Sequence, residues 1–145
     1  MSAGVERTRR RLYLDTSAYL CILLGEDESE RLSEETEGAE LLSSVLLVLE
    51  ARRTLIRLAR DGTVKPDQYK RCMERIDEDT AAFALRDLTL DLCASNLMPA
   101  VSTPRSLDLA HLRTALWFNA SGRLHRFVTM DVAQRHAASE VGLPV

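Results

Sequence analysis

Leu12-Tyr13-Leu14 is a short apolar run that stops on Asp15 and passes through Thr16 and Ser17 straight into a second apolar run, Ala18 to Leu24. The first run reads as a buried strand and the second as a helix, so the stretch predicts a strand that hands over to a helix within one turn. Chains built on that unit form α/β sheets, in which ligands sit in the crevice beyond the carboxyl ends of the strands. Asp15 stands at that position. Aspartate is also an ordinary turn and helix-cap residue, so its meaning depends on what else reaches the same edge.

The alternation continues along the chain. Residues 1–10 are polar and basic and are expected to be a flexible tail leading into a strand over Arg11 to Leu14. The first helix runs to about Gly25, and the Glu-rich stretch from Glu26 to Glu40 reads as a solvated helix closed by a turn at Gly38. Leu41-Leu42-Ser43 predicts a second strand, with Ser44 capping a helix that lasts to Asp61-Gly62 and puts Val48, Ala51, Leu55, Leu58 and Ala59 on its core face. Pro66 opens a helix with Tyr69, Cys72, Met73 and Ile76 inward. Ala82 to Leu88 predicts a third strand, and Thr89 caps a helix from Leu90 to about Met98, before a loop from Pro99 to Pro104. A helix from Ser106 to near Gly122, a fourth strand from Arg126 to Met130, a helix from Val132 to Val141 and an edge strand at Leu143-Pro144-Val145 complete the pattern. The expectation is a three-layer α/β/α fold with a mostly parallel central sheet of four or five strands, in one domain over residues 1–145.

Composition narrows the function classes. The 145 residues carry 46% hydrophobic side chains and a formal net charge of -3, enough for one core and contrary to a protein that coats nucleic acid non-specifically. Almost every cation is arginine, the better fork for phosphate; the lysines are Lys65 and Lys70. Cys21, Cys72 and Cys93 form neither a metal pattern nor an even disulfide set, and read as small core residues in a reducing compartment. Arg9-Arg10-Arg11 before Leu12 resembles the start of an export signal, but Asp15 interrupts the apolar run, and Leu41 to Leu49 is too short to cross a bilayer. A soluble, cytoplasmic protein with no membrane partner is expected.

Asp15 and Asp131 each close a strand, Asp108 falls in the first turn of a helix, and Glu50 follows the second strand by two turns. In a parallel sheet all four open onto one edge. Each has a plain structural role available: caps for Asp15 and Asp131, a dipole-favoured first-turn acid for Asp108, an ion pair with Arg53 for Glu50. Gathered together they need a counter-charge, since two carboxylates about 4 Å apart repel by on the order of 4 kcal/mol at an effective dielectric near 20. Oxygen donors without a cysteine or histidine pattern suit Mg2+ or Mn2+, and a cation so held suits phosphodiester hydrolysis. His111, one turn after Asp108, reads as a residue behind such a site and not as a ligand.

The ordered set Leu14-Asp15-Thr16-Ser17, Leu49-Glu50-Ala51, Leu107-Asp108-Leu109-Ala110-His111-Leu112 and Thr129-Met130-Asp131 resembles the motifs of PIN-domain ribonucleases, most closely the VapC-type toxins of bacterial toxin–antitoxin pairs. The resemblance spans nearly the whole chain. It implies a Mg2+- or Mn2+-dependent endoribonuclease in which Asp15, Glu50, Asp108 and Asp131 are the catalytic, metal-binding acids, with Ser17 and Thr129 as hydroxyl neighbours that orient a ligand or water. It also implies an RNA substrate, a homodimer and a cognate antitoxin protein that blocks the site. Arg113 departs from the small residue usual there, and the acidic 26–40 segment departs from what RNA binding alone would favour. A catalytically silent PIN-like module that binds RNA or protein is the alternative. A phosphoaccepting receiver domain lacks its late-strand lysine here, and an aspartyl-nucleophile phosphatase would want an acid where Ser17 stands.

Overall fold

A computed structural model of the chain describes residues 8–94, 100–102 and 105–145. In chain order the elements are β1 (Arg11–Leu14), α1 (Thr16–Leu24), α2 (Ser29–Thr36), β2 (Glu40–Ser44), α3 (Leu46–Arg60), α4 (Pro66–Ala81), β3 (Ala84–Arg86), α5 (Leu90–Ala94), α6 (Ser106–Ser121), β4 (Arg126–Val128) and α7 (Val132–Glu140). The four strands form one parallel sheet in the order β3-β2-β1-β4. The fold is the expected α/β/α sandwich with four strands. Among the described residues no helix is long and apolar enough to cross a membrane.

Strand alternation divides the core between the two faces of the sheet. Tyr13, Leu42 and Phe127 point to the side covered by α6 and α7, where Tyr13 stacks on Phe127 at 5.3 Å and both pack with Leu112, Ala115, Phe118, Ala137 and Ala138. Leu12, Leu14 and Val128 point the other way, onto Ala18, Cys21 and Leu32 of α1 and α2. On that second side α3 and α4 pack against α1 through Tyr19, Leu23, Leu47, Ala51, Leu55, Cys72 and Ile76. Leu47 therefore joins Ala51 and Leu55 in the core, while Val48 and Leu58 lie at its margin.

The sheet order fixes the crevice. The chain steps from β1 to β2 to β3 in one direction and then crosses back to lay β4 on the far side of β1. The carboxyl ends of β1 and β4 thus flank the point where the winding reverses, the ordinary ligand position of such sheets. Asp15 follows one end, and Thr129 to Asp131 follow the other.

Several boundaries differ from expectation for identifiable reasons. β3 begins at Ala84 because the N–H groups of Ala82 and Phe83 still close the last turn of α4 onto Asp79 and Thr80. Beyond Val128 the ladder gives way to side-chain bonds, the N–H groups of Met130 and Asp131 being taken by the hydroxyls of Ser17 and Thr129. Leu143-Pro144-Val145 is not a strand: Pro144 accepts one bond from Phe127 N–H at 2.7 Å, but proline has no N–H to extend a ladder. The expected tail over 1–10 is tied down at its inner end, where Arg9 donates to the carbonyls of Gly38 and Ala39 and Arg10 to that of Glu35. The outer part of the α5 stretch, 95–98, and part of the 99–104 loop lie outside the described residues. Cys93 is exposed, unlike Cys21 and Cys72, so it is not a core residue.

Candidate functional site

Asp15 is clamped where β1 and β4 end. Its N–H donates to Val128 O at 3.1 Å, and its side chain caps α1 by accepting from Ala18 N–H at 3.1 Å. Ser17 Oγ donates to Asp15 Oδ1 at 2.7 Å and Thr129 Oγ1 donates to Oδ2 at 2.5 Å. Each hydroxyl in turn accepts a backbone N–H from the β4–α7 turn, Met130 onto Ser17 at 2.9 Å and Asp131 onto Thr129 at 3.1 Å. Since each hydroxyl has one proton and gives it to Asp15, the 3.2 Å approach of Ser17 Oγ to Thr129 Oγ1 is a packing contact. Ser17 and Thr129 therefore orient the carboxylate itself. Only 5% of Asp15 is exposed. Burial pushes its carboxyl above the ordinary aspartate value, with the two hydroxyls, His111 and the Ala18 N–H working against that rise.

Glu50 has a different anchor from the one its sequence suggests. Arg53 is exposed and makes no ion pair with it among the described residues; instead Glu50 Oε1 lies 2.8 Å from His111 Nε2 and accepts from Thr16 Oγ1 at 2.9 Å. On the other side of the ring Tyr13 OH lies 2.8 Å from His111 Nδ1. Nε2–H donates to the carboxylate, and Nδ1 shares a hydrogen bond with the Tyr13 phenol, so the ring is held from both sides. Burial works to raise the Glu50 carboxyl, but the bond and charge of His111, then Thr16 and Arg53, more than offset it and hold it below the usual range. Tyr13 is fully buried, which keeps its phenol protonated. The helix α3 also starts differently: Val45 is its N-cap without a side-chain bond, and Ser44 Oγ accepts from Leu46 N–H at 3.1 Å.

Asp108 and Asp131 are brought together by Gln134. Asp131 caps α7, accepting from Ala133 N–H at 2.9 Å and Gln134 N–H at 3.3 Å, while Gln134 Nε2 donates to Asp108 O at 2.9 Å. Burial raises the Asp108 carboxyl, the charge of Asp131 raises it further, and Glu50 adds to both; Arg105 and His111 act in the opposite direction. The Asp108 carboxylate has no hydrogen-bond donor among the described residues.

The predicted acids thus reach one edge, with His111 acting electrostatically on Asp15, Glu50 and Asp108 alike. Their carboxylates are not gathered into a ready ligand shell: among the described residues no three His, Cys, Asp or Glu side chains are grouped to hold a metal ion. The donor set nonetheless fits a hard cation, being all oxygen, with the Asp108 carboxylate lacking a hydrogen-bond donor among the described residues and feeling the negative charge of Asp131. Sequence reasoning missed Thr16, Tyr13 and Gln134. The signals that were available are a hydroxyl directly after the Asp15 cap, an aromatic on the strand face opposite Leu12 and Leu14, and an amide three residues after Asp131. No protein-family model and no curated protein matches the chain.

Proposed function

We propose that the protein is a Mg2+- or Mn2+-dependent endoribonuclease of the PIN-domain type, acting as the toxin of a toxin–antitoxin pair, with RNA as substrate and an antitoxin and a second copy of itself as partners in the cytoplasm. The observation that carries the reading is the delivery of four acids to one end of the sheet, with Asp15 bound through Thr129 to the turn that holds Asp131, Glu50 bound to His111 of α6, and Asp108 tied to the start of α7 by Gln134. Asp15, Glu50, Asp108 and Asp131 would hold the cation. When bound there it supplies Lewis acidity toward the scissile phosphate and neutralises its developing charge.

The chain's own residues then have distinct tasks. Ser17 and Thr129 fix both oxygens of Asp15, so its carboxylate does not rotate when a charged substrate arrives. His111, held by Tyr13, keeps Glu50 ionised and aimed. Gln134 locks the first turn of α6 to the start of α7 and so fixes the spacing of Asp108 from Asp131.

The silent-module alternative draws on the absence of a ready three-donor cluster among the described residues. One experiment separates the two: single-stranded RNA is incubated with Mg2+ or Mn2+ and wild-type, Asp15→Asn or Asp108→Asn protein. The nuclease reading expects cleavage by wild type and loss in both variants, with melting temperature retained in Asp108→Asn, whose carboxylate accepts no hydrogen bond among the described residues; cleavage unaffected by either substitution would overturn it.

A further inference from the structure

The helix α3 leaves the acidic edge carrying a row of arginines that form no hydrogen bond or ion pair among the described residues. Glu50 is followed by Arg53, Arg57 and Arg60 at three, seven and ten residues. At 3.6 residues per turn these positions fall within about 80° of one another, a single stripe extending about 10 Å from Arg53 to Arg60. All three arginines are exposed, and among the described residues none forms a hydrogen bond or ion pair. Their neighbours behave otherwise: Arg52 pairs with Asp77, Arg75 with Asp79, Arg86 with Asp91 and Arg126 with Glu35.

The row borders an open depression of about 460 Å3 shared with Ile56 and Asp61. Asp61 stands at the far end of the row, where its carboxylate accepts from the N–H and hydroxyl of Thr63 and offsets part of the charge of Arg57, so three arginines face one acid there. Like charges three and four residues apart weaken a helix, so the row is a local cost that a polyanion relieves. The helix dipole accounts for Arg57 and Arg60 in the last turn. It does not account for Arg53 in mid-helix or for the alignment with Glu50.

We propose that this stripe is the track for the sugar–phosphate backbone of single-stranded RNA entering the site, with Arg53, Arg57 and Arg60 forking onto phosphates while the scissile bond lies at the acidic edge. The inference rests on the nuclease reading. It also answers how a chain of net charge -3 admits a polyanion to a carboxylate site. Guanidinium groups suit the task because their fork matches phosphate oxygens and their charge never titrates away. Leu49 and Ile56, 66% and 47% exposed, flank the row and offer aliphatic surface against bases. They also make a protein partner the competing occupant.

The test is fluorescence anisotropy of a labelled single-stranded RNA oligonucleotide in EDTA, so that binding is read without cleavage. Wild type is compared with the triple variant Arg53→Gln, Arg57→Gln, Arg60→Gln and with a charge-matched control, Lys65→Gln, Lys70→Gln, Arg71→Gln, whose positions are exposed on and beside α4. Three phosphate contacts at about 0.7 each in the logarithmic salt slope predict that the α3 triple loses about 2 from the slope. Its affinity falls about 100-fold at 0.1 M salt, with the gap closing toward 1 M. The control stays near wild type. An α3 triple that binds as wild type does, two triples weakened equally, or wild type that binds no RNA overturns the track. Cleavage measured in Mg2+ on the same preparations keeps the two questions apart. Wild type that cuts RNA while the α3 triple binds unchanged sinks the track alone; RNA bound along α3 with no cleavage in any metal sinks the nuclease reading alone.

Discussion

Replacing Thr129 by valine keeps the shape of the side chain and deletes the one proton that Asp15 Oδ2 receives from the β4–α7 turn. Asp15 and Thr129 are both buried, so water does not replace that donor. A hydrogen bond to a charged group contributes about 1.5–3 kcal/mol, and Thr129→Val should lower stability by about 2 kcal/mol near neutral pH. For a chain of this size that corresponds to a fall of roughly 4–8 °C in melting temperature.

The pH dependence distinguishes this from a packing defect. The Thr129 hydroxyl works to lower the Asp15 carboxyl against the larger upward effect of burial, so its contribution exists only where Asp15 is ionised in the native state. It is therefore present above the native Asp15 value, which burial lifts above the ordinary 3.8, and lost as pH falls through that value. Urea unfolding from about pH 7 to about pH 4 should show the deficit of Thr129→Val shrinking toward the acid end, and Thr129→Ser, which restores the hydroxyl, should recover most of it. A valine variant as stable as wild type at pH 7, or equally deficient at both ends, would refute the assignment of this hydroxyl to Asp15.

Tyr13→Phe keeps the stack on Phe127 and removes the hydrogen bond with His111 Nδ1 in a fully buried position. It should cost about 1–2 kcal/mol by urea unfolding; unchanged stability would mean that the phenol does not hold the ring. Thiol titration of the native protein should find Cys93 reacting quickly, while Cys21 and Cys72 react only on unfolding. Three equally fast thiols would contradict the packing around α1 and α4.

The sequence carried the sheet and its edge further than it carried the site's wiring. Asp15 and Asp131 were legible because capping a helix and closing a strand are local jobs, and both residues do them here. Glu50 was legible as an uneasy acid but not in its pairing, because a local partner at Arg53 was visible whereas His111 lies 61 residues on and on another helix. The end of β4 was unreadable for a similar reason. Thr129 and Met130 look like strand residues until a hydroxyl from the first turn of α1, 113 residues earlier, takes the Met130 N–H. Cys93 follows the helical apolar pattern of α5, yet that helix buries Leu92 and leaves Cys93 outside. Local periodicity cannot tell which side of a short helix the rest of the chain will cover.

The central claim is that the acids at this edge act through a divalent cation on RNA. Its most direct measurement is one time course of single-stranded RNA incubated with the wild-type protein in Mg2+, then in excess EDTA, then with Mn2+ restored beyond the chelator. Cleavage should stop on chelation and resume on restoration. Cleavage that continues through EDTA, or none at any stage, would contradict it.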